Sequence, residues 1–227
     1  HCLSSAASDV YKRQMYDSPK LIGLRNELIK NLFKKGIKNK DILKAFFKVP
    51  RHLFIHKDFE SYAYKDEAFP IEDNQTISQP FTVAFQTQLL DVCKGDKVLE
   101  IGTGSGFQTA VLVFLGAEVY TIERIHSLYK KSKKILDQIN LMPKKNIWDD
   151  GHKGFESFSP FDKIIITAAC ETPPNNLLKQ LKIDGKMVVP IGKDVQKMTL
   201  FTRVSENKFE KRTFGDYRFV PMLRNKN

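Results

Sequence analysis

Residues 97–116, KVLEIGTGSGFQTAVLVFLG, hold three pieces in immediate succession: an apolar run, a turn built on Gly102, Gly104 and Gly106, and a second apolar run long enough for a helix. The first run sets Val98, Leu99 and Ile101 around a single acid, Glu100, and is rich in the side chains that suit a strand covered on both faces. Glycines between such a strand and a helix let the chain turn sharply and let a ligand approach the main chain, because no Cβ stands in the way. This unit opens a parallel sheet, and in such sheets ligands gather in the crevice beyond the carboxyl ends of the strands.

The alternation continues outward on both sides. Downstream, the pattern predicts a helix over 106–115, strands at 117–122, 145–149, 162–167 and 186–190, and helices over 125–140, 153–158 and 174–182. Two β-like runs, QKMTLFTRV and KFEKRTFGD, lie close enough in the chain to form an antiparallel pair at one edge. Upstream, a helix is expected at 81–93 and another at about 39–48, stopped before Pro50. A further one starts at Ser18, puts Leu21, Leu24, Leu28, Ile29 and Leu32 on one face, and is stopped by Gly36. The fold class is therefore α/β: a doubly wound, mostly parallel seven-stranded sheet with an antiparallel edge and an added N-terminal helical segment.

Residues 15–80 are expected to form N-terminal helices and an irregular, aromatic-rich loop on the substrate side. Residues 81–227 carry the sheet, and 15–227 are expected to make one compact unit. Residues 1–14, HCLSSAASDVYKRQ, have neither periodicity nor an apolar signal region, and are set aside as a leader ahead of Met15.

Composition narrows the classes. The chain has 227 residues, 41% of them hydrophobic, enough for one well-buried core. No apolar run approaches the roughly 20 residues that cross a bilayer, so no membrane partner is expected. Three cysteines without a CxxC pair suggest neither a disulfide framework nor a metal site, and fit a cytoplasmic setting. The net charge of +11 favours encounters with acidic partners. Its densest cluster, KKSKK at 130–134, falls on the outer side of a predicted amphipathic helix, so no specific nucleic-acid partner is expected.

The glycine turn does not follow a dinucleotide fingerprint, because GxGxxG would need glycine at Phe107 or Thr109, and no Walker loop closes it. Acids stand beside it instead. Glu100, just before the turn, suits an ammonium group better than a pyrophosphate. Glu123, at the end of the next strand, is placed to accept hydrogen bonds from ribose hydroxyls. Asp150, followed by Gly151, is placed to meet an adenine amino group. An amino acid part, a ribose and a base together make S-adenosylmethionine.

Ahead of the sheet, NQTISQP at 74–80 carries a single serine, Ser78, before a helix in which Pro80 suits the first turn. Ser78 or Gln79 is expected to cap that helix. No His–Asp or Cys–His arrangement is evident, and Cys170 reads as a buried thiol.

With VLEIGTGSGFQTAVL, TIER and DDGHKG the chain resembles class I methyltransferases. Adding VPRHLF, NQTISQP, FDKIIITAA and RFVPML, it closely resembles the protein-L-isoaspartate O-methyltransferases from about Leu21 to Met222. The resemblance implies methyl transfer from S-adenosylmethionine to the free α-carboxylate of L-isoaspartyl residues in damaged proteins and peptides, the ester then closing to a succinimide. It makes Ser78 the active-site residue. It places Ile77, Glu100, Gly102, Gly104, Gly106, Glu123, Arg124, Asp150 and Gly151 around the cofactor, and Gln79, Pro80, Ala168, Ala169, Val220 and Pro221 on the substrate side. It also implies a monomer. The chain departs from the family pattern at Asp149, Cys170, Glu171 and Leu223. The alternatives are a class I methyltransferase acting on RNA or another substrate, for which ITAACETPP lacks an Asn-Pro-Pro-aromatic or Pro-Cys element, and a non-catalytic module that binds the same cofactor.

Overall fold

The computed structural model describes residues 17–227, and the expected leader and Met15 lie outside that range. The chain begins with two helices, α1 (Pro19–Lys34) and α2 (Lys40–Lys48). Each starts on a residue chosen for its side chain: Ser18 accepts from the Leu21 amide at 3.3 Å, and Asn39 accepts from the Asp41 and Ile42 amides. Such caps satisfy donors that a helix end otherwise leaves unpaired, at about 1 kcal/mol each.

An irregular segment follows, with 3-10 turns at Arg51–Phe54 and Lys57–Tyr62. It leads into a small hairpin of β1 (Phe69–Pro70) and β2 (Thr76–Ile77), paired antiparallel. Then come α3 (Pro80–Leu90), β3 (Lys97–Ile101), α4 (Phe107–Phe114), β4 (Glu118–Glu123), α5 (His126–Gln138), β5 (Lys145–Trp148) and β6 (Phe161–Ile166). A one-turn helix, α6 (Asn175–Leu178), precedes β7 (Leu181–Ile191), β8 (Gln196–Arg203) and β9 (Phe209–Tyr217).

The main sheet has seven strands in the order β5-β4-β3-β6-β7-β8-β9. Strands β3 to β7 run parallel, while β8 and β9 return antiparallel. The order reverses beside β3, where the chain crosses from one half of the sheet to the other, and this is the switch point at which open sheets bind ligands. The core on one side of the sheet joins Leu21, Leu28, Leu32, Ile42 and Phe46 of the first two helices to Phe107, Ala110 and Val111 of α4. Phe46 and Phe54 both meet the Phe107 ring edge-on, at 5.4 and 5.6 Å between centroids. The N-terminal segment is thus fastened to the first turn of the helix that follows the glycine loop. Burying each such side chain favours the fold by about 1.5–3 kcal/mol.

Three local expectations need correction. The helix expected over 174–182 is a single turn, because Leu181 already pairs with Phe161 and opens β7. The added length carries an irregularity where Asp184 adopts φ +63° and a Cβ at Gly185 would stand 2.8 Å from the Lys182 carbonyl oxygen and 3.1 Å from that of Asp162. The helix expected over 153–158 is two 3-10 turns, Gly151–Lys153 and Glu156–Phe158. The irregular loop contains the β1–β2 hairpin, whose turn residues Asp73 and Asn74 both take φ near +57°. Among the described residues, no helix is long and apolar enough to cross a membrane.

Candidate active site

The glycine turn is built by three neighbouring strand ends. Where β3 stops, the Gly102 amide donates to the Ile122 carbonyl of β4 at 2.9 Å. The Thr167 hydroxyl, just beyond β6, donates to the Gly102 carbonyl at 2.6 Å. Gly102 holds φ +93°, and a Cβ there would stand 2.5 Å from the Thr167 hydroxyl oxygen, so this position requires glycine twice over. At Gly104, by contrast, an added Cβ would meet nothing within 4 Å: the turn faces open space.

Glu123 ends β4 and completes this wall. One carboxylate oxygen accepts from the Gly104 amide at 2.7 Å and the other from the Ile125 amide at 2.9 Å. Burial raises its pKa above the ordinary carboxylate range, while the amides of Ile125 and Gly104 pull the other way. Each oxygen keeps a lone pair for a further donor.

The opposite wall is the turn after β2. Ile77 is buried and Ser78 half-buried. Gln79 stands at the N-cap of α3 with Pro80 in the first turn, as expected, but it makes no side-chain cap hydrogen bond. The Asp66 carboxylate, arriving from the irregular segment, accepts from the Phe81 amide at 2.7 Å and so does the capping instead. The N-terminus of α3 thus already faces an anion.

One cavity joins the two walls, lined by Ile77 and Ser78 from one and by Gly102, Gly104, Glu123 and Arg124 from the other. Gly151, Ala168, Val220 and Pro221 also reach it. A second groove, running between the start of α3 and the end of β9 with the residues that follow it, is lined by Gln79, Phe81, Asp216, Tyr217 and Arg218. The two hollows have only Thr76, Ser78, Thr167 and Val220 in common.

Other residues expected at the site stand behind it. Glu100 is fully buried and does not line the cavity: one oxygen takes the Thr109 hydroxyl, and the other has no partner. Burial pushes its pKa up to about 8, opposed by the hydroxyls of Thr109 and Thr121. It is a buried acid of β3, tied to the glycine-loop helix through Thr109, not an open partner for an ammonium group. Asp150 is also set back. Its oxygens accept from the His152 and Asn225 amides, which holds the C-terminal residues across this end of the site. Burial raises the Asp150 pKa, but hydrogen bonds from Asn225 and His152 outweigh it, and the net shift is downward. Gly106, at φ +92°, packs against Ser132 and Leu136. Pro80 is buried in the first turn of α3, and Ala169 exchanges backbone hydrogen bonds with Val220 and Met222.

Sequence reasoning missed Gln86 and Gln108, which bring amides from α3 and α4 to the cavity. A glutamine in an otherwise apolar helix was the available signal. Gln86 donates to the Ile166 carbonyl at 3.2 Å, and Gln108 donates to the Thr87 hydroxyl at 3.0 Å, its own carbonyl oxygen being buried without a partner. It also missed Met222, whose sulfur lies 3.4 Å from that of Cys170; Leu223, one of the departures from the family pattern, reaches the same cavity. Among the described residues, no group of three or more His, Cys, Asp or Glu side chains is arranged to hold a metal ion. A carboxylate, an open glycine turn and an unsatisfied amide oxygen on one cavity fit a ligand with hydroxyl and amino donors.

Comparison with known proteins agrees. The family model described as Protein-L-isoaspartate(D-aspartate) O-methyltransferase (PCMT) matches residues 24–227. A protein-L-isoaspartate O-methyltransferase of Flavobacterium psychrophilum is 55% identical over 213 residues, covering 94% of this chain and all of that protein. One from Cytophaga hutchinsonii is 47% identical, covering 92% of this chain and 95% of its own. A solved protein-L-isoaspartate O-methyltransferase superposes with a TM-score of 0.80 at 28% identity, over 88% of this chain and 66% of that one. A further structure, from Plasmodium falciparum in complex with S-adenosyl-L-homocysteine, shares the fold with a TM-score of 0.77 at 24% identity over 88% of this chain and 98% of that one. A match spanning residues 24–227, with relatives identical at about half their positions along the full length, means that this chain belongs to the protein-L-isoaspartate O-methyltransferase family.

Proposed function

We propose that Ser78 positions the free α-carboxylate of an L-isoaspartyl residue for methylation, at the border between a cofactor cavity and a groove for the damaged polypeptide. The reaction class is that of the family: S-adenosylmethionine is the donor, isoaspartyl-containing proteins and peptides are the acceptors. The observation that carries the reading is that Ser78 belongs to both hollows, whereas Glu123 and Gly104 belong to one and Gln79 and Tyr217 to the other.

The acceptor is an anion at neutral pH, since such a carboxyl group has a reference pKa of about 4. No general base is required, and no histidine lines either hollow: His152, paired with Asp150 at 3.0 Å, stands outside both. When bound, S-adenosylmethionine supplies a methyl group activated by a sulfonium centre. Glu123 accepts from the ribose hydroxyls on its two remaining lone pairs, and the unpaired carbonyl of Gln108 accepts from an amino group. The Gly102–Gly104 turn lets both approach the main chain. The Ser78 hydroxyl donates to one oxygen of the acceptor and leaves the other free to attack. Orientation then supplies most of the acceleration. A cytoplasmic monomer is the form in which we expect the chain to act.

Incubation with labelled S-adenosylmethionine and matched peptides containing isoaspartate or aspartate tests this. Base-labile label should appear on the first alone, and Ser78→Ala should lower turnover by on the order of 100-fold, with the affinity for S-adenosyl-L-homocysteine held within two-fold. Unchanged turnover in that variant would remove Ser78 from the role.

A further inference from the structure

Arg51 stands out among the buried charges. It is 1% exposed, on the 3-10 turn that follows α2, and touches neither hollow. Its Nε donates to the Ala63 carbonyl at 2.9 Å and one terminal nitrogen donates to the Ser78 carbonyl at 2.8 Å. Its other terminal nitrogen is buried without a partner. The guanidinium lies over the Phe107 ring, 4.7 Å from the centroid. Phe107 is the first residue of α4, directly after the glycine turn, and lines the cofactor cavity.

Stability does not explain this residue. A buried guanidinium with no carboxylate bonded to it and one nitrogen orphaned is costly, and an apolar side chain of similar volume often does as well or better. Geometry explains it. The planar group presents an edge to one wall of the site and a face to the other, which lysine cannot do. Holding the Ser78 carbonyl fixes the peptide plane beside the serine and therefore the direction of its side chain.

We propose that Arg51 is a positioning residue, which sets Ser78 at a fixed distance from the glycine-loop helix by bonding the serine's carbonyl while resting on Phe107. The proposal depends on the role given to Ser78 above. It assigns the spacing between donor and acceptor to a side chain that contacts neither.

The test is a double-mutant cycle in the full chain, with Arg51→Lys, Ser78→Ala and both together, assayed for kcat and KM on an isoaspartyl peptide. S-adenosyl-L-homocysteine affinity is measured by calorimetry, and Arg51→Met serves as a second, volume-filling variant. Arg51→Lys should lower kcat by on the order of 10- to 100-fold, as expected for a misplacement of about 1 Å, with KM and cofactor-product affinity within two-fold. In the Ser78→Ala background the same change should cost less than a further two-fold. Undiminished kcat in Arg51→Lys overturns the proposal, as does a parallel fall in S-adenosyl-L-homocysteine affinity or a fully additive cycle. Failure of both Arg51 variants to fold also overturns it, by assigning the residue to the core. If Ser78→Ala alone retains full turnover, the serine's role falls first and the positioning role goes with it. An additive cycle with an impaired Ser78→Ala removes only Arg51.

Discussion

The two walls of the cavity are held by different means. On the glycine side the supports come from the strand ends that make the wall itself: Gly102 bonds to Ile122, Thr167 bonds to Gly102, and Glu123 bonds to Gly104. On the serine side the supports come from a segment outside the sheet. Arg51 reaches the Ser78 carbonyl and Asp66 reaches the Phe81 amide, 27 and 15 positions away along the chain. A wall fixed by its own sheet needs only the right local residues. A wall fixed from elsewhere needs the whole N-terminal segment to be docked first.

The strongest way to break this contrast is at Glu123. Glu123→Ala removes the carboxylate that two amides share and that faces the cavity. Hydrogen bonds to a charged group are each worth about 1.5–3 kcal/mol, so affinity for S-adenosyl-L-homocysteine should fall by on the order of 10- to 100-fold. Thermal stability of the N-terminal helices should change far less. Calorimetry on the variant checks the first, and an undiminished affinity would detach Glu123 from the cofactor.

A second effect, read in stability rather than in affinity, tests the interior behind the glycine wall. Glu100 has an ordinary pKa near 4.5 raised to about 8 by burial, so the folded protein retains a proton that the unfolded chain releases. Its contribution to stability is therefore present below pH 4.5 and is lost as pH rises toward 8, where the folded state must also ionise. Glu100→Gln should flatten the decline in unfolding free energy between pH 5 and 8, measured by denaturant titration at several pH values. A slope identical to that of the unsubstituted protein would place the proton elsewhere.

The smallest effect sharpens the serine side. Asp66→Ala removes both the cap on α3 and an ion pair with Lys35 at 2.6 Å. The pair is partly exposed and adds little, so the loss should be about 1 kcal/mol, chiefly from the cap. Denaturant unfolding reads it directly, and kcat should fall more than cofactor-product affinity, because α3 begins at the Ser78 turn.

The same contrast explains what could be read in advance. Strands β3 to β6 and the helices α4 and α5 were legible because each buries a face whose period is written in adjacent residues, and the glycine turn because its conformation demands glycine. Thr103, whose hydroxyl shares a hydrogen bond with that of Thr121 on β4 at 2.6 Å, and Thr167 went unread there, since a hydroxyl that ties strand ends looks like any other polar residue. The β1–β2 hairpin was hidden by its length: two residues per strand show no alternation, and only Asp73 and Asn74 hinted at a turn. The cap of α3 was assigned to Ser78 or Gln79 because capping rules look at neighbours in sequence, whereas Asp66 arrives through space. Glu100 and Asp150 were placed by strand position and by the resemblance, and neither reveals whether a side chain at a strand end turns toward the crevice or into the core. The departure at Asp149 has a local meaning, its carboxylate accepting from the Asp150 amide at 2.8 Å.

The two hollows share only Thr76, Ser78, Thr167 and Val220. If each holds one of the two reactants, as proposed above, these four residues are the border at which they meet. A bulkier side chain at Thr76 or Val220 would then separate donor from acceptor while the rest of each hollow stays as it is.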